Sequence, residues 1–275
     1  MLVYNNNIRG EKMIKSYLLV VKQDEKSQKI AESLRLKLKD ILIYDDENPD
    51  LIISIGGDGT MLYALHQYYH LIDHVYFLGV HTGTLGFYTD YMASEIDDLV
   101  LDIQKGKYEL THRSLLEAVV YKKEGNETYY ALNEVRIENT LYTQVLDIYI
   151  NNEHLETFRG NGICVSTPSG STAYNKSLGG SVIHPCLQAM QLTEIAGIHH
   201  NAYRSLGSSL ILSQFHTVTL SSSSINDAIL GVDQHVYDLT NALKVEVKIA
   251  KNVMTCIQYR PLSFVSRIKR SFITG

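Results

Sequence analysis

The chain has 275 residues, 45% of them hydrophobic, and a formal net charge of −5. That length and composition allow one large domain or two modest ones with a real core, and the acidic balance argues against a nucleic-acid or membrane-surface binder, which needs a basic face. No apolar run approaches the ~20 residues of a membrane span, Asn5, Asn6 and Asn7 interrupt any signal-peptide core, and the three scattered cysteines (Cys164, Cys186, Cys256) provide neither a disulfide framework nor zinc spacing, so the expected setting is the reducing cytoplasm.

Residues 1–12 look unlike the rest; Met13 is readable as a start, which makes them an upstream extension or a frayed tail. Ile14 to Lys22 is a continuous apolar strand. Lys26 to Lys39 carries Ile30, Leu34 and Leu38 at helical spacing. Leu51 to Ile55 is a second buried strand, Thr60 to Tyr69 a helix, and Val75 to Val80 a third strand. Ser94 to Lys105 is a helix with Ser94 as N-cap and Gly106 as its stop. Strands this apolar, joined by helices, predict a parallel sheet covered on both faces.

After about residue 107 strands dominate. Leu115 to Tyr121, Thr128 to Leu132, Val145 to Ile150, Glu153 to Phe158 and Lys244 to Ala250 read as strands, with hairpin turns at Glu124–Glu127 and at Asn151-Asn152. The fold class expected is an α/β N-terminal domain with a parallel sheet plus a β-rich C-terminal domain. The tail from Pro261 carries Arg267, Lys269 and Arg270 and is expected as a solvated helix packing back on the first domain.

The sharpest feature is Gly56-Gly57-Asp58-Gly59-Thr60, at the end of a strand and the start of a helix. Glycines let N–H groups approach a phosphate, and the helix N-terminus adds partial positive charge. The plain alternative is a strand–helix turn with Asp58 as N-cap, which does not need three glycines. The pattern is neither the dinucleotide Gly-x-Gly-x-x-Gly fingerprint nor a Walker loop. A carboxylate gains nothing by facing phosphate. Asp58 is better explained by deprotonating an attacking hydroxyl, or by holding Mg²⁺ against the phosphates.

A second constellation, Phe158-Arg159-Gly160-Asn161-Gly162 and then Cys164 to Tyr174, is rich in small hydroxyl residues suited to a nucleotide; a helix-capping Ser/Thr loop is its bland counterpart. His66, His70 and His74 stand four apart, but Gln67 replaces the glutamate of a zinc motif, and a solvated helix face is preferred. Tyr63, Tyr68 and Tyr69 read as packing residues, and Cys164 and Cys186 as small buried hydrophobes.

Taken together the two loops resemble the NAD kinase family. The shared blocks run in order: Gly56 to Thr60, His81 to Phe87, Leu132-Asn133-Glu134, Gly162 to Tyr174, Asn175 to Gly180 with His184-Pro185, and Val232-Asp233. The first loop alone is shared with lipid kinases and phosphofructokinases; the block from Thr167 to Tyr174 is specific. The resemblance implies an α/β phosphate-donor domain over residues 1–107, joined by the returning tail 251–275, and a β-rich NAD-binding domain over 108–250, with NAD held between them. It implies transfer of the γ-phosphoryl of ATP, or of polyphosphate, to the 2′-hydroxyl of the adenosine ribose of NAD, with Mg²⁺ or another divalent cation arriving with ATP and no prosthetic group. It further implies a cytoplasmic homo-oligomer, a dimer or tetramer, without nucleic-acid or membrane partners.

Carried over by resemblance, Asp58 is the catalytic base, and no dedicated protein metal site is expected beyond it. Gly57, Gly59 and Leu62 form the wall beside the NAD diphosphate and nicotinamide end, with Phe87 packing nearby. Asn133 and Glu134 contact ribose and adenine, and Ser169, Thr172, Ala173, Tyr174 and Ser177 form the adenine pocket. Arg159, Asn161, Ala196 and Tyr203 line the site, and Asp233 lies on the nicotinamide side. The family usually has aspartate where this chain has Asn161. Asparagine keeps the shape and one acceptor but loses the charge, so altered ligand contacts and slower turnover are expected. Two other readings stay open: a lipid or other small-molecule kinase sharing the first loop, and a non-catalytic NAD(P)-binding protein.

Overall fold

The computed structural model describes residues 8–9, 13–83, 86–201 and 203–273. Contacts divide the chain into two units: the described residues of Met1–His112 with Val253–Gly275, and Arg113–Asn252. The boundaries fall at 112/113 and 252/253, against the expected 107/108 and 250/251.

In the first unit, β1 (Ser16–Val21), β2 (Leu51–Gly56) and β3 (Tyr76–His81) pair in parallel in the order β3-β2-β1, with Leu19 opposite Ile53 and Ile53 opposite Leu78. Every residue of β2 is buried, which is why the strand is apolar apart from Ser54, whose hydroxyl faces Met61 Sδ at 3.8 Å. The two-residue strands Ile43–Tyr44 and Tyr91–Met92 pair in parallel with β1 and β3. On the far side of β3, Cys256 of the long strand Ala242–Gln258 pairs in parallel with Phe77. Ile52, Ile53 and Ile55 are fully buried, and truncating any one to alanine would cost about 2–5 kcal/mol.

Helix α1 (Glu25–Leu38) begins where the Asp24 carboxylate accepts from the Ser27 N–H at 2.8 Å, and it buries Ala31, Leu34 and Leu38 at three- and four-residue spacing. Helix α2 (Asp58–Gln67) starts two residues before the expected Thr60 and stops at Gln67. His66, His70 and His74 therefore do not share one helical face, since the chain turns into a 3₁₀ segment at Tyr69–Leu71. Helix α3 (Ile96–Lys105) is preceded by a 3₁₀ turn, Ala93–Glu95, so Glu95, not Ser94, holds the N-cap position. The Glu95 carboxylate accepts from the Met92 N–H at 2.7 Å. Gly106 ends α3 with φ 64°, the left-handed conformation expected of the stop residue.

The C-terminal helix Phe264–Ile268 is capped by Ser263, whose hydroxyl accepts from the Ser266 N–H. Lys269 and Arg270 are exposed as expected, but Arg267 is buried. Of the first twelve residues only Ile8–Arg9 are described, paired antiparallel with Leu110 and Glu109; the rest of the expected extension lies outside the described residues, as do Thr84 and Leu85 of the His81–Phe87 block.

The second unit consists largely of antiparallel strands: β4 (Glu109–Lys122, entering from the first unit), β5 (Gly125–Ala131), β6 (Glu134–Glu138), β7 (Gln144–Ile150), β8 (Glu153–Gly160), β9 (Gly162–Ser166), β10 (Ala189–Ile195), β11 (Leu210–Ser213), β12 (Thr217–Ser221), β13 (Ile229–Val232), β14 (His235–Asp238) and β15 (Ala242–Gln258, returning to the first unit at Val253). One sheet has the order β11-β10-β9-β6-β13-β14; β8, β7, β12 and β15 pair in turn in another. A single cluster joins their inner faces, with Phe158, Leu146, Val218 and Val245 from one and Val135, Ile163, Leu192 and Leu230 from the other. Asn151 and Asn152 have φ of 49° and 67°, the paired left-handed conformation of a two-residue hairpin. The other hairpin turns earlier than expected: Lys122 pairs with Gly125, leaving Lys123 and Glu124 as its turn.

Candidate active site

The glycine loop of the first unit joins β2 to α2. Gly57 occupies the N-cap position and Asp58 is the first helical residue, so Asp58 does not cap its own helix. Its carboxylate reaches across to a distant segment, accepting from the Phe87 N–H at 2.9 Å on Oδ2 and from the Tyr88 N–H at 3.0 Å on Oδ1. A carboxylate has about four acceptor sites, so two such bonds set its plane and leave lone pairs for another hydrogen. This approach needs Gly86: a Cβ there would lie 2.2 Å from Asp58 Oδ1.

The three loop glycines serve different ends. A Cβ on Gly56 would fall 2.1 Å from Thr60 Oγ1, and one on Gly57 would lie 3.3 Å from His81 Nε2. A Cβ on Gly59 would meet nothing within 4 Å. Gly57, Gly59 and Thr60 line a cavity of about 900 Å³, bordered by Lys22, Lys26, Tyr63 and His81. The Lys26 ammonium donates to the Thr82 carbonyl, and Ser27 Oγ lies 3.1 Å from Thr82 Oγ1, which ties α1 to the cavity rim. Burial holds the His81 imidazole below its ordinary pKa, against the opposing pull of the Asp58 charge. His81 Nδ1 accepts from the Gly83 N–H at 2.7 Å, so the neutral ring carries its proton on Nε2. Asp24 also lines the cavity and pairs with Lys22 at 3.0 Å, but two ammonium groups, helix N-terminal amides and an imidazole N–H outnumber that one carboxylate and make this a place for an anion. Tyr63 is 53% exposed on the cavity wall, so it is not the packing residue expected. Lys22, Lys26 and His81 were not foreseen as site residues; lysines just beyond the first apolar strand were the available signal. Leu62 is buried, and Phe87 stacks 5.6 Å from Phe272.

In the second unit the predicted residues form two groups. The first centres on the turn Leu132-Asn133-Glu134. Asp233, buried with φ 51°, accepts from the N–H groups of Leu132 (2.9 Å), Asn133 (2.7 Å) and Glu134 (3.3 Å). Thr167 locks the downstream block to this turn: its N–H donates to the Asn133 carbonyl (2.9 Å) and its hydroxyl to the Leu132 carbonyl (2.5 Å). A Cβ on Gly170 would sit 2.0 Å from the Asn133 oxygen, so glycine lets the two segments touch. Ser169 is buried and accepts from Arg113 at 3.2 Å. Thr172, Ala173 and Tyr174 follow, half-buried, with the Arg136 guanidinium 4.9 Å from the Tyr174 ring centre; Ser177 is exposed.

Burial, reinforced by the charge of Asp233, pushes the Glu134 carboxyl up to about 7. Glu134 Oε2, Ser166 Oγ and Asn175 Nδ2 are buried polar atoms with no hydrogen-bond partner. Such atoms call for an explanation, and a donor–acceptor set of this kind suits a nucleotide.

The second group gathers Arg159, Asn161, Ala196 and Tyr203. The Arg159 guanidinium lies 4.3 Å from the Tyr203 ring centre. Ala196 is exposed at φ 47°, a strained conformation for a residue other than glycine. A Cβ on Gly160 would meet the Ala196 oxygen at 2.7 Å. Asn161 Nδ2 donates to the Asn139 carbonyl at 2.9 Å, a bond that an aspartate could not make. Cys164 is buried, and burial pushes its thiol well above the ordinary value; Cys186 is exposed, contrary to expectation.

Among the described residues no group of three or more His, Cys, Asp or Glu side chains could hold a metal ion, and no helix is long and apolar enough to cross a membrane.

Residues 5–108 match the family model of the ATP-NAD kinase N-terminal domain, and residues 126–259 that of the ATP-NAD kinase C-terminal domain. An NAD kinase of Staphylococcus aureus (strain JH9) is 41% identical over 264 residues, covering 94% of this chain and 98% of that protein. A yeast NADH kinase solved in complex with NADH superposes with a TM-score of 0.80 at 21% identity, over 96% of this chain and 90% of that one. An NAD kinase from Archaeoglobus fulgidus solved with ATP superposes with a TM-score of 0.72 at 20% identity, over 93% and 95%. With both of its halves matched and its fold shared, this chain belongs to the NAD kinase family.

Proposed function

We propose that the chain transfers the γ-phosphoryl group of ATP to the 2′-hydroxyl of the adenosine ribose of NAD, with Asp58 as the base. The observation that carries this reading is the Asp58 carboxylate, held by two backbone N–H groups beside a glycine- and lysine-bordered cavity. The cavity suits the donor phosphates: amides at the start of α2, Lys22, Lys26 and His81 Nε2–H all present positive ends to them. Asn133 and Glu134, with the Ser169–Tyr174 segment, suit adenine and ribose. Asp233 acts through the turn it braces, because its carboxylate is taken up by three backbone amides.

Asp58 accepts the 2′-hydroxyl proton as that oxygen bonds to the γ-phosphorus and the bond from the γ-phosphorus to the β,γ-bridging oxygen breaks, releasing ADP. Since the phosphoryl transition state is loose, positioning and neutralisation supply most of the acceleration. A divalent cation arriving with the donor would be held chiefly by the donor's own phosphates, with the Asp58 carboxylate as the nearby protein oxygen ligand, and would neutralise charge on those phosphates. Polyphosphate, a chain of the same phosphate groups, presents the same chemistry to this cavity. The reading carries with it a cytoplasmic homo-oligomer, dimer or tetramer, and exposed Leu141, Tyr142 and Phe215 offer apolar area for such contacts.

NADP formation from NAD, followed by a coupled assay with ATP and with polyphosphate in turn, tests the function. Product at background level with both donors would leave a nucleotide-binding protein, and phosphorylation of a lipid acceptor instead would favour the other kinase reading. Asp58→Asn tests the base: kcat should fall at least ~10²-fold with NAD still bound, and near-normal kcat would remove Asp58 from that role.

A further inference from the structure

Among the described residues of the first unit, a deeply buried charge outside the proposed chemistry is Arg267, on the C-terminal helix. Its residue exposure is 5%, and its guanidinium is enclosed by one loop, Gly86–Asp90. It donates to the Thr89 carbonyl at 2.8 Å and to the Gly86 carbonyl at 3.5 Å, and it pairs with Asp90, whose side chain is also 5% exposed. Gln258 Nε2 donates to the same Asp90 oxygen at 3.1 Å. Within the loop, the Gly86 N–H donates to Thr89 Oγ1 at 3.0 Å, and the Asp90 N–H to the Gly79 carbonyl at 3.0 Å. The two amides between these anchors, Phe87 and Tyr88, are the pair that hold Asp58.

Burying a guanidinium is costly unless its hydrogen bonds are met. A tail that merely covered apolar surface would use side chains such as Phe272, which already packs on Phe87. A planar fork that can reach two carbonyls and one carboxylate together is what this loop requires, and a lysine ammonium, a single point charge, cannot reproduce it.

We propose that Arg267 is a positioning residue for the phosphoryl transfer: it sets the Gly86–Asp90 loop so that the Phe87 and Tyr88 amides aim the Asp58 carboxylate. The proposal rests on the reading of Asp58 as the base. The first unit would then be catalytically complete only with its last helix in place.

The test compares Arg267→Lys, the charge-free pair Arg267→Met with Asp90→Asn, and Arg270→Met as an exposed control one turn on, each in the wild-type and Asp58→Asn backgrounds. The charge-free pair leaves no stranded carboxylate, so it covers the case in which Arg267→Lys fails to fold. NADP formation is measured with NAD and ATP varied, and thermal unfolding in parallel. Arg267→Lys should lower kcat roughly 10- to 100-fold, the scale of a 1 Å misplacement of a catalytic group. Both KM values should stay within about threefold, because ground-state binding is untouched. In the Asp58→Asn background the further loss should be under about twofold, since no base remains to be aimed. The control should leave kcat unchanged. Equal losses in the two backgrounds would mean general destabilisation and overturn the proposal, as would a wild-type-like kcat for Arg267→Lys. If Asp58→Asn itself retains normal kcat, the base assignment fails first, and the Arg267 proposal falls with it.

Discussion

Gly59→Ala asks whether a glycine in the Gly56–Gly59 loop is present for the fold or for the ligand. A methyl group on Gly56 or Gly57 would press on Thr60 or His81, whereas one on Gly59 would meet nothing within 4 Å. Gly59 is the second residue of α2, and it is not among the residues with positive φ. Alanine is better than glycine in a helix by up to about 1 kcal/mol, so a first-turn position should gain about 0.5 kcal/mol. That corresponds to a melting point higher by about 1–2 °C for a chain of this size. The same methyl enters the cavity edged by Lys22, Lys26 and His81, where the donor phosphates are proposed to meet helix amides at hydrogen-bond distance. Losing one charge-assisted bond there costs about 1.5–3 kcal/mol, or roughly 10- to 100-fold in donor affinity. The assay is KM for ATP from NADP formation, beside thermal unfolding of the same samples. A raised donor KM with an unchanged or higher melting point is expected. An unchanged KM would refute the placement of the phosphates, and a lower melting point would refute the claim that the position is sterically open.

Two further outcomes follow from the second unit. Asn161→Asp replaces the donor that reaches the Asn139 carbonyl with an acceptor facing an acceptor. It should cost about 1 kcal/mol of stability and release the side chain toward the ligand, raising kcat/KM for NAD; a stability equal to wild type would show that the Asn139 bond carries no weight. Glu134→Gln should change how stability depends on pH. Glu134 is raised from 4.5 to about 7, so its contribution is fully present below 4.5 and lost as pH rises through 7. The variant should therefore gain on wild type across that window by about 3 kcal/mol at most, at 1.36 kcal/mol per unit, and parallel denaturation curves from pH 4.5 to 8 would sink the assignment.

Much of this protein is legible from short stretches of chain. The apolar run at β2, the left-handed pair Asn151-Asn152 and the Gly106 stop are all local choices. Backbone sterics and periodicity act over a few residues, so sequence reading is strongest there. Where two local signals competed it faltered: Ser94 is a good capping residue, but a 3₁₀ turn moved the helix start to Glu95. The order of the motif blocks carried the family, because that many short blocks in one order do not recur by chance.

By itself, then, the sequence determined the glycine loop, the domain textures and the identity of the carboxylate at position 58. Only tertiary structure decided what that carboxylate does with its oxygens. Its partners stand 29 and 30 residues away, and the arginine behind them lies 177 residues beyond Asp90. The same holds for Asp233, which grips amides about 100 residues upstream. Contacts of that separation leave no periodic trace along the chain; they exist because buried amides, carbonyls and charges must find partners wherever packing brings them.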